Sequence, residues 1–333
     1  MAKSEKKDWH EQVRQVGKQF GVDVSSTSSD EKSESHIAKA DCIDKCTVFL
    51  HTYLPYDARQ ALDAAQEIGG ALIDNFSLKL NKAARFEDTK FSFYKANRND
   101  VEYEPNAFFG NINFDEIAAR QKNSVEAMNL DIKYFEAKID WRLVVGLGNE
   151  SVYETSMTLH HIYGIPYIPA SAVKGVLRSW VITEGFGNEI NAIRDAGFCD
   201  IFGCPRKFEG ENSYYNEDRQ GKVRFFDVFA LSKPVIKVDI MNPHYSDYYM
   251  EKKVHGIPVP PADYLIPVPV NFLTVENAIF RFMLGIRKEN NKPIFSGIFV
   301  GKTPLEIVNI RLKDALAKHG IGAKTAVGYG SLK

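Results

Sequence analysis

Eleven residues, GIGAKTAVGYG at 320–330, hold four glycines together with Lys324, Thr325 and Tyr329. That is more glycine than a turn requires. With no side chains in the way, successive backbone N–H groups can converge on a phosphate, while Lys324 adds charge and Thr325 a hydroxyl. Gly320, Gly322, Gly328 and Gly330 equally suit a glycine-rich connection before an edge strand. Residue types alone leave both readings open.

A second candidate is YGIPYIPASAVKGVLRSW at 163–180. At 100° per residue, Val173, Val176, Leu177, Trp180 and Val181 gather on one side of a helix. Ser171, Lys174, Gly175 and Arg178 form the opposite stripe, with Lys174 and Arg178 neighbours at four residues apart. Near a helix N-terminus, where unpaired N–H groups favour anions, such a stripe suits phosphate contacts. An ordinary solvated face gives the same pattern.

Histidines supply a third possibility. RNA cleavage by general acid and base needs two proton-transfer groups flanking the scissile phosphate. His160 and His161, adjacent on an extended segment, are expected to point to opposite faces. A ribonuclease would then need one of them to meet His244 or Tyr245 in space. Otherwise these histidines hydrogen-bond within loops or contact RNA. Tyr245, Tyr248 and Tyr249 lie near Asn242 and His244, where flat rings can stack on unpaired bases or meet a neighbouring subunit. Gly301-Lys302-Thr303 imitates the end of a P-loop, but Ser296 stands where its first glycine belongs. No metal-ligand spacing is present either: Cys42, Cys46, Cys199 and Cys204 lack the zinc-ribbon pattern. Neither metal nor cofactor is expected.

The elements that must position these residues follow from periodicity. Residues 1–40 are charged or small and read as a mobile N-terminal extension. Residues 41–130 read as a helical N-terminal region, with helices at 57–73 and 114–130. A core occupies 131–333. There, Phe135, Ala137, Ile139, Trp141, Leu143 and Val145 alternate with charged residues as a half-buried strand that ends at Gly146. A further strand is expected at 223–231, and 270–275 with 279–286 reads as a hairpin turning at Glu276-Asn277. Thr303 as N-cap, Pro304, Glu306 and Gly320 bound a helix with Leu305, Val308, Leu312, Ala315 and Leu316 on its apolar face. A short strand at 327–332 follows. Strand, helix, strand pair, helix, strand is the order of the ferredoxin-like α+β fold, with one strand surplus in an insertion.

Across 333 residues the formal net charge is −1 and the pI about 6.7. That lacks the basic excess of a free-standing nucleic-acid binder, so any RNA site must be local. No run of eighteen apolar residues occurs and no secretory signal opens the chain. A reduced, cytoplasmic protein is expected.

The segments ETSMTLHHIYG, IPASAVKGVLRS, DIMNPHYSDYY, PVPVNFL and GIGAKTAVGYG occur in this order. Together they resemble the sixth-subunit family of the Cmr-module, type III-B, CRISPR RAMP effectors, over roughly residues 140–330. The resemblance implies a ferredoxin-like (RRM-like) RAMP core in antiviral defence, next to the repeated backbone subunit and toward the 3′ end of the guide RNA. Guide RNA, target RNA and other Cmr-module RAMP subunits are the implied partners. The implied RNA contacts are Ser171, Lys174, Gly175, Arg178, Gly320, Gly322, Lys324, Thr325, Gly328, Tyr329 and Gly330, with His160, His161, Asn242, His244 and Tyr245 touching RNA or a subunit. Related backbone subunits carry a cleaving aspartate in the loop after the first core strand. Here the corresponding loop, 146–169, holds Glu150 and Glu154 and no aspartate, which implies a non-catalytic subunit. The family more often has glycine and serine where Ala170 and Ala172 stand, so those positions offer no hydroxyl. The alternative is an RNA endonuclease of the RAMP superfamily using His160 or His161 with His244.

Overall fold

The computed structural model describes residues 112–151, 155–242 and 269–333, with short stretches between 75 and 109 and between 248 and 260. The 1–40 extension and the expected helix at 57–73 lie outside the described residues. So do His244, Tyr245 and Tyr249.

Helix α1 (Phe76–Lys82) follows Asn75, whose side-chain amide donates to the carbonyls of His161 and Ile162 at 2.8 and 3.0 Å. Helix α2 (Phe114–Glu126) begins at Asn113, which accepts from the Glu116 N–H. It stops four residues short of the expected 130. Asn129 adopts φ 52° there, and polar side chains tolerate that left-handed turn. Strand β1 (Leu130–Lys138) therefore starts before the alternating pattern does.

Beyond β1 come strand β2 (Tyr167–Ile168), helix α3 (Ala170–Val181) and the short helices α4 (Glu189–Ile193) and α5 (Ala196–Phe202). Strands β3 (Val223–Phe225), β4 (Val228–Phe229), β5 (Val235–Met241), β6 (Val270–Glu276) and β7 (Ile279–Arg287) precede helix α6 (Pro304–Lys318).

The central sheet is antiparallel in the order β1-β7-β3. Phe135 lies opposite Phe282, with the rings stacked at 5.2 Å, and Phe225 lies opposite Leu284. Residues 331–333 run beside 138–140: the Lys138 N–H donates to Lys333 O, and the Asp140 N–H to Ser331 O. The strand expected at 327–332 is thus a 3-10 turn, Thr325–Val327, followed by a single bridge from Leu332 to Ile139.

Two further expectations change. The runs at 270–276 and 279–287 are strands but do not form a hairpin. β6 pairs with β5 from Val235–Glu276 to Met241–Val270, whereas β7 joins β1 and β3. Both edges of β7 are taken, so β6 must find another partner. Asn277, at φ 50°, turns the corner between the two sheets. Likewise 223–231 is not continuous: it breaks at Phe226-Asp227, β3 entering the central sheet and β4 pairing with β2.

Helix α6 has the expected cap. The Glu306 N–H donates to the Thr303 hydroxyl, and the Thr303 N–H donates to the Glu306 carboxylate. A cap of this kind stabilises a helix by about 1 kcal/mol. Its buried face holds Leu305, Val308, Leu312, Ala315 and Leu316, with Ile307 added. α6 packs on β1, β7 and α3, so Leu312 and Leu177 share one core with Phe280, Phe282, Leu284 and Ile286 of β7. No helix among the described residues is long and apolar enough to cross a membrane.

Candidate nucleic-acid interface

Helix α3 lacks a side-chain cap of its own, because Pro169 occupies the N-cap position with an extended backbone. The acceptor comes from 57 residues away: the Ala170 N–H donates to Asp227 Oδ1 at 2.8 Å. Breaking the strand at Phe226-Asp227 is what places that carboxylate under the helix. Val173, Leu177 and Val181 are buried, which leaves Ser171 and Gly175 exposed and Lys174 and Arg178 half-buried.

Ser171 and Lys174 face a groove of about 610 Å³ between α3, β3 and the segment after β7. Lys222, Arg224 and Arg287 also line it, together with Phe225, Phe226, Gln220 and Asn290. The lining contains four cations and no carboxylate, in a chain whose formal net charge is −1. Lys222 is answered from behind by Asp200 at 2.9 Å, and Arg287 lies 3.9 Å from the exposed Glu289. Lys174 has no ion-pair partner among the described residues. Burial, and then the neighbouring Arg178 charge, hold its ammonium below the ordinary lysine range. An anion entering the groove would offset them by favouring the charged ammonium.

Arg178 does not line this groove. Its guanidinium pairs with Glu189 of α4 at 2.5 Å and lies over the Phe198 ring at 5.3 Å, so it braces α3 against α4 and α5. Lys222, Arg224 and Arg287 were not singled out from the sequence. For Lys222 and Arg224 the only signal was alternation at 222–225, too short to fix a face, and Arg287 ends the strand Ile279–Arg287. Register supplies the rest: Arg224 stands opposite Gly285, two residues before Arg287.

The glycine-rich run lines none of this groove. Most of its N–H groups are bonded within the fold: Gly320 to Ala315 O, Ile321 to Gly330 O, Ala323 to Val144 O, Val327 and Tyr329 to Lys324 O, Gly328 to Thr325 O and Gly330 to Arg142 O. Those N–H groups are committed to carbonyls of the fold rather than turned to a ligand. Gly322, at φ 97°, lies so close to the segment that follows β1 that a Cβ would sit 2.2 Å from Val144 O. Gly330, at φ 74°, is equally tight against Ile321 O, and Gly320 is buried. Gly328 differs: it is exposed at φ 95°, with nothing within 4 Å of a Cβ. Lys324 sits in the left-handed region at φ 60° with its ammonium 5.2 Å above the Phe272 ring, and Thr325 is half-buried.

Tyr329 is buried. Its hydroxyl donates to Asp239 Oδ2 at 2.7 Å, and burial together with that carboxylate pushes the phenol up to about 12. Arg142 bonds the same carboxylate and also Glu276, at 2.6 Å. Burial would push Asp239 up, but the bonds from Tyr329, the Ile240 N–H and Arg142 outweigh it and hold the carboxyl below the ordinary aspartate range.

His160 and His161 do not point to opposite faces. The chain turns at residues 161–163, and the two rings stack at 5.3 Å. The Tyr163 N–H donates to His160 Nδ1 at 3.3 Å, and Tyr163, Tyr167 and Phe229 surround the ring. Burial, and then His161, push the His160 imidazole down. Asn242 is exposed. No group of His, Cys, Asp and Glu among the described residues could hold a metal ion.

Comparison with known proteins places these observations. The chain is 35% identical over 239 residues to the CRISPR system Cmr subunit Cmr6 of Pyrococcus furiosus, covering 59% of this chain and 66% of that protein. It is 24% identical to Cmr6 of Saccharolobus solfataricus, over 62% of this chain and 60% of that protein. The chain thus spans slightly under two-thirds of the length of these relatives. A chain in the cryo-EM structure of the type III-B Cmr-beta complex bound to cognate target RNA matches with 22% identity and a TM-score of 0.44, covering 66% of this chain and 63% of that one. The model of the RAMP superfamily matches residues 138–333, from the end of β1 through α6 and the glycine-rich run, and this protein belongs to that superfamily.

Proposed function

We propose that this protein is a non-catalytic, guide-RNA-binding subunit of a type III-B CRISPR ribonucleoprotein that targets foreign RNA, placed toward the 3′ end of the guide beside backbone subunits. The observation that carries the reading is the groove lined by Lys174, Lys222, Arg224 and Arg287, in which Lys174 and Arg224 have no ion-pair partner among the described residues. Cations aligned along a groove with aromatic rings suit a single-stranded phosphate backbone. Similarity to Cmr6 subunits supports the assembly, in which partners share the neutralisation of phosphate. Within that reading the core is ferredoxin-like. Its support is the order of residues 331–333, β1, β7 and β3, with α3 after the first strand and α6 after the third.

The endonuclease alternative is the weaker one. His160 Nδ1 accepts the Tyr163 N–H and aromatic rings pack around its imidazole, which supports a packing role for this residue. Incubating the purified protein with labelled guide and target RNA tests both. Intact RNA retained on the protein is the expected result. Cleavage abolished by His160→Ala or His161→Ala would favour the enzyme.

A further inference from the structure

Trp141 is one of three tryptophans in the chain and the one that strand alternation places on the inward face with Phe135, Ala137 and Ile139. Its side chain is nevertheless 50% exposed. The β1 ladder ends at Lys138, and Leu143 and Val144 are both buried in succession, so the phase of the pattern changes between 139 and 143. The outward turn leaves half of a large flat ring in solvent.

The ring is also held still. The Arg142 guanidinium lies 5.1 Å from its centre, and the Tyr329 ring lies 4.9 Å away, tilted by 42°. Neither neighbour is loose. Tyr329 is tied to Asp239, Asp239 to Arg142, and Arg142 to Glu276. A rigid aromatic surface binds a flat ligand with little loss of conformational freedom. Beside it, Gly328 leaves open space next to Tyr329, where any side chain would project toward solvent.

We propose that the indole of Trp141 is a stacking platform for an unpaired base of single-stranded RNA. Its neighbours along the chain and across the bridge are charged or polar: Asp140, Arg142, Ser331 and Lys333, the last ion-paired with Asp140 at 2.8 Å. A protein partner would call for a contiguous apolar patch, whereas one fixed, half-exposed ring edged by ion-paired polar side chains suits the face of a single base. Stacking tolerates any base, because every base has a π face, so the platform fits a guide of any sequence. The proposal rests on the RNA-binding reading above and adds a second contact region to the basic groove.

The test uses the full chain and a single-stranded oligonucleotide carrying 2-aminopurine, with each variant checked by thermal melting. Trp141→Leu should weaken binding by about tenfold or more, while Trp141→Phe stays within about threefold of the parent. The slope of affinity against salt should not change in either, since stacking releases no counterions. In a Trp9→Phe/Trp180→Phe background, the remaining Trp141 emission should be quenched as RNA binds. Parent-like affinity for Trp141→Leu, or unquenched emission with RNA bound, overturns the platform. Lys174→Ala/Arg224→Ala serves as the separate arm. If it weakens binding while Trp141→Leu does not, the groove stands and the platform fails; the reverse result removes the groove and keeps the platform.

Discussion

Tyr329 and Asp239, ninety residues apart, are joined by a hydrogen bond of 2.7 Å from the phenol to the carboxylate, which ties the glycine-rich run to β5. Tyr329→Phe keeps the ring and removes that bond. We expect a loss of about 1.5–3 kcal/mol in chemical denaturation, as for other bonds to a charged acceptor. The pH profile provides a second readout. The phenol is raised from 10.0 to about 12 in the folded protein. Between those values the unfolded chain has released a proton that the folded one keeps, so stability falls as pH rises from 10 toward 12. Tyr329→Phe should flatten that decline, and an unchanged profile would show that the bond contributes nothing.

Gly322 and Gly328 separate packing from openness. Both have positive φ, but only at Gly322 would a methyl group meet backbone, 2.2 Å from Val144 O. Gly322→Ala should therefore cost well over the roughly 1 kcal/mol at stake when alanine fits without strain. Gly328→Ala carries the cost of its φ alone. The two melting temperatures should fall in that order.

Lys174 and Arg224 should act on RNA and leave the fold alone. Neither has an ion-pair partner among the described residues, so the double alanine variant should melt close to the parent. Removing one phosphate-binding cation should flatten the salt slope for single-stranded RNA by about 0.7, with similar weakening for unrelated sequences. Weakening confined to one sequence would count against phosphate recognition.

Arg178 makes the opposite prediction. Removing its bond to Glu189 and its packing on Phe198 should lower stability by about 1 kcal/mol or more, with the salt slope intact. A flattened slope with unchanged melting would return Arg178 to the RNA-contacting stripe.

His160 makes the fold sensitive to acid. Its imidazole is depressed below 6.5 by burial and by His161, so between the two values the unfolded chain takes up a proton that the folded one refuses. The contribution is fully present above about pH 6.5 and is lost as pH falls toward the folded value. His160→Asn, which can still offer an acceptor to the Tyr163 N–H, should melt with less dependence on pH between 7.5 and 5.5. Equal dependence in both proteins would exclude His160 as the source.

Local patterns carried much of the architecture. The capping box at Thr303 and Glu306, the apolar face of α6 and the stripe of α3 depend on spacings of three and four residues, which a sequence displays directly. Ser171 and Lys174 were legible as groove residues for the same reason. Arg178 shares their stripe, yet it turns to Glu189 because α4 packs beside it, which periodicity cannot show.

The sequence by itself determined the helices at Ala170–Val181 and Pro304–Lys318 and the strand runs at Val270–Glu276 and Ile279–Arg287. Only tertiary structure decided what those segments pair with. β6 and β7 look like a hairpin because two periodic runs flank a turn, but β7 spends both edges on β1 and β3, so β6 pairs with β5. Gly322 looks like a phosphate site because glycine permits close approach; what approaches is the carbonyl of Val144. Trp141 looks like core until the ladder ends two residues before Asp140. In each case the residue type sets what contact is possible, and long-range register, absent from any local window, sets which contact is made.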